Sequence, residues 1–157
     1  RTLQDIIDFN ERHAKQEMPW FKQENFLKAQ TKGPLTEEAY LTALARCKKG
    51  ARDDGMDAAL KKNQLDAIFC SGGGPAPVID YAYGDGGSGG GGSSLAAVAG
   101  YPSISVPTGF IDGLPVSVFF MSGAWSEASL LKIAFAFEQA TNARWAPRFL
   151  PTISAES

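Results

Sequence analysis

The chain has 157 residues and 16.7 kDa, with 44% apolar and 20% charged residues, a size and composition that support one hydrophobic core and exclude intrinsic disorder. Its 15 Lys plus Arg against 17 Asp plus Glu leave a net charge of −2, which excludes a phosphate-backbone binder, so no nucleic acid is expected as a partner. No apolar run approaches the ~18 residues of a membrane span and no signal peptide opens the chain, so no membrane partner is expected.

Charge and glycine are unevenly spread. Residues 1–66 carry 12 basic and 11 acidic side chains and residues 67–157 only 3 and 6, while ten of the 17 glycines fall between Gly72 and Gly92. A charged, helical first half is thus separated by a glycine-rich stretch from a sparsely charged, strand-rich second half. No repeat suggests a solenoid.

Thr2 with Asp5 three residues on resembles a capping box, and Leu3, Ile6 and Ile7 begin an apolar stripe that predicts a helix ending before Pro19. A short helix over 24–30 is stopped by Gly33 and Pro34. Thr36 then predicts an N-cap, with Glu37 and Glu38 in the first turn of a long helix that carries Tyr40, Leu44, Cys47 and Ala51 and reaches Leu60. Gly50 and Gly55 each weaken it by ~1 kcal/mol relative to Ala. Residues 65–70 read as a buried strand, and residues 104–106, opened by Pro102 and closed by Pro107, as another. Asp112-Gly113 is a hairpin signal joining that strand antiparallel to 116–121. Ser126 caps a last helix with Leu130, Ile133, Ala134 and Phe137 on one face, ending near Asn142, and the tail from Pro147 frays. Cys47, Cys70 and the single His13 are too few for a usual zinc site; the cysteines read as small buried thiols in a reducing, cytoplasmic setting. Arg at position 1 reads as a processed chain or a piece of a longer one.

The loop from Gly84 to Ser94 admits several readings. Clustered backbone N–H groups ahead of a helix suit an anion, but the Lys of a phosphate-binding loop is missing and no basic residue lies between Lys62 and Lys132. Ser88, Ser93 or Ser94 as a nucleophile needs a base, for which only His13 or a distant Lys is available. The default is a flexible loop leading into a helix over 95–99, with Ser93 or Ser94 as its cap. An engineered Gly/Ser linker is a further alternative.

The run Ala96-Ala-Val-Ala-Gly-Tyr-Pro-Ser-Ile-Ser-Val-Pro-Thr-Gly-Phe110 is followed by Gly113-Leu-Pro-Val116, Phe119-Phe-Met-Ser-Gly-Ala-Trp-Ser-Glu127 and residues 130–141. Together these strongly resemble the C-terminal part of amidase signature enzymes. Thr2-Leu-Gln-Asp-Ile-Ile-Asp-Phe-Asn10, Leu65-Asp-Ala-Ile-Phe69, Gly74-Pro-Ala76 and Gly84-Asp85 look like earlier segments of the same family, so the resemblance covers nearly the whole chain. It implies an α/β fold: the C-terminal portion of an α/β/α mixed-sheet amidase. It also implies hydrolysis of carboxamide C–N bonds by a Lys, cis-Ser and Ser triad, with no metal and no organic cofactor. The family's triad lies on an upstream Gly/Ser-rich stretch that this chain does not contain. The stretch 86–94 looks like it in composition but precedes Gly100-Tyr101-Pro102, a later segment. No residue here is therefore assigned as catalytic, and seven glycines between Gly84 and Gly92 depart from the family's bulkier loop.

Asp85 aligns with an acidic position that, in the glutamine-handling members of the family that serve tRNA-dependent amidotransferases, helps hold the polar end of the substrate. Its carboxylate suits an ammonium or amide N–H; the alternative is a solvated turn aspartate. Gly84 and Ser94 accompany it as substrate-binding candidates, Asp80 and Tyr83 are weaker ones, and Trp125 and Phe137 are expected in the core. The expected organisation is one partial domain, 1–157, mainly helical over 1–64, with strands plus a C-terminal helix over 65–153 and a Gly-rich loop over 84–94. Its partners would be a small-molecule amide and the missing N-terminal amidase region, with self-association through exposed strand edges. Two other readings stand beside this one: a non-catalytic binding domain that kept the scaffold, which should show charged or covered sheet edges, and catalysis through a serine of the glycine loop.

Overall fold

A computed structural model describes residues 1–84, 91–147 and 149. The chain forms two compact units, Arg1–Ala43 and Leu44–Ser157. In the first, α1 (Leu3–Arg12) opens with the expected capping box: Asp5 N–H donates to Thr2 Oγ1 at 3.2 Å and Thr2 N–H to Asp5 Oδ2 at 2.7 Å. His13 interrupts the helical run, which resumes as α2 (Ala14–Glu17) and stops before Pro19. Helix α3 (Glu24–Gln30) has the bounds expected of it. The buried residues Ile7, Met18 and Gln23 hold this unit together; the Gln23 amide donates to Ile7 O and Glu11 Oε1 and accepts from Asn10 Nδ2, so its burial leaves no polar atom unpaired.

The long helix expected after Thr36 is three consecutive pieces: α4 (Glu38–Lys48), a π-helical stretch (Lys49–Met56) and α5 (Asp57–Asn63). Its first turn starts later than a Thr36 cap implies, with Leu41 N–H donating to Glu37 O at 3.0 Å. The wider turn rests on Gly55, where a Cβ would lie 2.6 Å from Gly50 O. Two glycines five residues apart let the ladder slip to i→i+5 spacing.

In the second unit a three-stranded antiparallel sheet has the order β1-β3-β2, with β1 (Ile68–Ser71), β2 (Ser103–Ile111) and β3 (Leu114–Met121). The expected hairpin joins β2 to β3: Asp112 and Gly113 both have positive φ, 49° and 76°, as a two-residue type I′ turn requires. Pro107 does not close β2 as expected but lies inside it, where an edge strand tolerates the missing donor, beside a bulge between Pro107 and Gly109.

Alternation puts Ile68, Cys70 and Met121 on one face, packed with Ala51 and Met56 of the π-helical stretch and with Ala96 and Ala99 of α6 (Ser93–Ala99). Ile104, Val106, Val118 and Phe120 occupy the other face, against Leu130, Ala134 and Phe137 of α7 (Glu127–Thr141). Helix, sheet and helix layers thus form the α/β/α arrangement. Ser126 precedes α7 as expected, but its hydroxyl donates to Gly123 O at 2.6 Å instead of capping the helix, and Asn142 ends it in the left-handed conformation. Among the described residues no helix is long and apolar enough to cross a membrane.

Candidate functional site

The glycine-rich stretch leaves and returns at the end of β1. Gly72 follows that strand against β3: its N–H donates to Ser117 O at 2.8 Å, and a Cβ there would sit 2.1 Å from Ser117 Oγ. Further on, the Asp80 carboxylate accepts from Ala82 N–H (2.8 Å) and Tyr83 N–H (3.0 Å), while Gly84 N–H donates to Asp80 O (2.9 Å). This side-chain turn delivers Gly84 at φ +82°, a conformation suited to glycine. Asp80 is therefore committed to the turn, and the Tyr83 side chain is exposed. Asp85 and Ser88 lie outside the described residues.

The stretch rejoins described structure at Gly91 and Gly92. A Cβ on Gly92 would fall 2.2 Å from Cys70 Sγ and 3.0 Å from Met121 Cε, so only glycine lets the backbone pass this close to the sheet. Gly92, not Ser93 or Ser94, is the N-cap of α6; the serines are its first helical residues, with no side-chain cap bond. Ser94 is exposed and borders, with Arg46, Cys47, Leu95 and Val98, an open groove of about 470 Å³. Cys47 is exposed and Cys70 half-buried, both as free thiols, which corrects the expectation of two buried ones. The described structure thus stops at Gly84 and resumes at Gly91, just before the foot of α6, and no described hydrogen bond joins Gly84 to Ser94.

A second group, not found from sequence, lies at the other end of α6. The helix closes with Gly100 at φ +68°, Tyr101 N–H donating to Ala96 O and Gly100 N–H to Ala97 O. Arg52 Nε donates to Ala99 O, one of the carbonyls the helix end leaves over, and the guanidinium stands 5.1 Å over the Tyr101 ring. Tyr101 Oη donates to Asp57 Oδ2 at 2.9 Å. Partial burial first, and then the hydrogen bond and charge of Asp57, raise the Tyr101 pKa above its ordinary value. Arg52, Tyr101, Trp125 and Glu127 line a cavity of about 410 Å³. Trp125, expected in the core, is instead 92% exposed with φ +60°, because the bend before α7 turns it outward, whereas Phe137 packs edge-on against Phe120. The charged first half carries Arg52 and Asp57 without marking them; the Gly50 and Gly55 pair around Arg52 is the signal that could have.

No family model matches the chain. It is 36% identical over 152 residues to a probable amidase of Arabidopsis thaliana, covering 96% of this chain and 26% of that protein. Against the A subunit of the glutamyl-tRNA(Gln) amidotransferase of Clostridium kluyveri it is 48% identical over 46 residues, 29% of this chain and 9% of that one. The crystal structure of a peptide amidase in complex with the competitive inhibitor chymostatin superposes with a TM-score of 0.89 at 46% identity, over 95% of this chain and 30% of that chain. The chain therefore spans between a quarter and a third of the amidases that it matches along nearly its whole length. Its relatives are amidases and glutamyl-tRNA(Gln) amidotransferase A subunits, each matched over only a part of its length, which is consistent with a C-terminal part of an amidase signature enzyme.

Proposed function

We propose that this chain is the C-terminal portion of an amidase that hydrolyses carboxamide C–N bonds by a Ser, cis-Ser and Lys mechanism. The triad belongs to a part of the enzyme that this chain does not span, and the chain contributes sheet strands and one wall of the substrate pocket. Asp85 accepts hydrogen bonds from the substrate's amide or ammonium N–H groups, with Gly84 and Ser94 beside it in that wall. The observation that carries this reading is the superposition on the peptide amidase over 95% of this chain and only 30% of that enzyme. The close passage of Gly92 against Cys70 and Met121 supports it further, since it fixes the residue that leads into α6 and Ser94 against the sheet.

The test is amide hydrolysis by the chain alone and by a chimera in which it replaces the matched segment of the solved peptide amidase. Turnover is expected only from the chimera; robust hydrolysis by the isolated chain would place the nucleophile within it and overturn the assignment. In the chimera, Asp85→Ala should raise KM by about tenfold or more with kcat less affected, the scale of one lost hydrogen bond to a charged group. An unchanged KM removes Asp85 from the pocket.

A further inference from the structure

Helix α6 has seven residues and rises about 10 Å from end to end. Its buried face is made of Ala96 and Ala99, whereas its larger side chains Leu95 and Val98 stay 38% and 50% exposed. Methyl groups raise only shallow ridges, so packing alone resists a slide of α6 along its own axis weakly. At its first residue the helix has no side-chain cap bond, and the backbone of Gly92 simply lies against Cys70. The other end is gripped by Arg52 at three points. Its Nε donates to Ala99 O, its guanidinium stands 5.1 Å over the Tyr101 ring, and a Cβ on Gly100 would lie 3.0 Å from its Nη2. A planar, forked cation fixes direction as well as distance. The base from which Arg52 reaches is itself fixed: in the π-helical stretch residues five apart stand over one another, so Ala51 and Met56 both enter the core on either side of it. Asp57, next in the chain, accepts from Tyr101 Oη and ties the residue beyond Gly100 to the same helix.

We propose that Arg52 is a positioning residue that fixes α6 along its axis, and so sets where Gly92 and Ser94, at the opposite end of that helix, stand in the substrate wall. Arg52 acts through the helix and not on the substrate. A single short helix moves as a rigid rod, so a displacement of Ala99 reaches Gly92 undiminished. The consequence for the pocket rests on the amidase reading above, and the test separates the two.

The reporter is Cys70, the half-buried thiol against which Gly92 lies. In a Cys47→Ser chain Cys70 is the single thiol. There, Arg52→Ala should speed the reaction of Cys70 with a small aromatic disulfide by about tenfold or more, at a rate independent of low urea, as a local displacement requires. Arg52→Lys can still donate to Ala99 O but lacks the planar group over Tyr101, so it should speed the reaction less, by about threefold. If Arg52→Ala does not melt cooperatively, the Lys variant decides. Leu130→Ala, on the opposite face of the sheet, controls for general destabilisation: Cys70 should react faster there only through urea-dependent unfolding. In the peptide amidase chimera, Arg52→Ala should raise KM for a peptide amide by about fivefold or more and change kcat by less than about twofold, because the wall moves and the triad does not. An unchanged Cys70 rate, or one that follows urea as in Leu130→Ala, overturns the inference. So does a more reactive Cys70 with an unchanged KM in an active chimera, and the amidase reading then stands. A chimera inactive with Arg52 in place overturns the amidase reading, while the Cys70 rate still decides whether Arg52 sets the far end of α6.

Discussion

The two faces of the β1-β3-β2 sheet are covered by different means. Under α7 the fill is bulky: Val106, Val118, Phe120 and Leu130, with Phe120 touching both Phe69 and Phe137 at ring separations of 5.5 Å. Under α6 and the π-helical stretch the buried residues are Ala51, Ala96 and Ala99 around two methionines, and the backbone comes close enough for Gly92 to lie against Cys70. Apolar volume secures the first face. On the second, close approach leaves less to bury, and directed polar ties make up the difference: Arg52 to Ala99 O, and Tyr101 to Asp57.

The contrast breaks most severely if the α7 face does not depend on volume. Phe120→Ala should cost about 3–5 kcal/mol, the range for a buried aromatic truncated in a packed core, measured as a fall in the urea midpoint without a change in slope. A loss below about 1 kcal/mol would mean that this face collapses around the cavity and is no more demanding than the other.

On the opposite face, adding atoms should be the harmful change. Gly92→Ala should cost about 1–3 kcal/mol through overpacking against Cys70. Because Sγ is the atom struck, Cys70→Ala in the same chain should recover most of that loss. The readout is the double-mutant coupling energy: strict additivity would show that Gly92 serves only its own backbone conformation.

What is legible in the sequence is what neighbouring residues decide. Thr2 and Asp5 build their capping box across three residues, and Asp112-Gly113 fixes its hairpin within a two-residue loop. The helix periodicity around Tyr40, Leu44 and Cys47 is visible too, but a slip from i→i+4 to i→i+5 bonding at Gly50 and Gly55 hardly changes that pattern, so the π-helical stretch is not. Strand order and layering depend on which distant segments meet; the family resemblance supplies the α/β/α layers, while the order β1-β3-β2 is seen only in the structure. Trp125 shows the limit of composition: apolar bulk predicts burial, while the bend ahead of α7 points the ring outward. In the site, Asp57 and Tyr101 lie 44 residues apart and only the fold brings them together.

That pair supports the smallest and most specific effect. Removing the hydroxyl in Tyr101→Phe deletes one partly buried hydrogen bond to a carboxylate that keeps some access to water, so the loss at neutral pH should be about 0.5–1.5 kcal/mol. The sign of its pH dependence follows from the raised Tyr101 pKa. The folded state holds the phenolic proton more tightly than the unfolded state, whose value is near the ordinary 10.0, so the stabilisation is complete below pH 10.0 and is lost as the pH climbs through the folded-state pKa. Stability curves for the wild-type chain and the Phe variant, measured by denaturation between about pH 8 and pH 11, should therefore run apart at the lower end of that range and converge toward the upper. Parallel curves would show that the Tyr101 proton is not held by Asp57, and that the second face is tied by Arg52 alone.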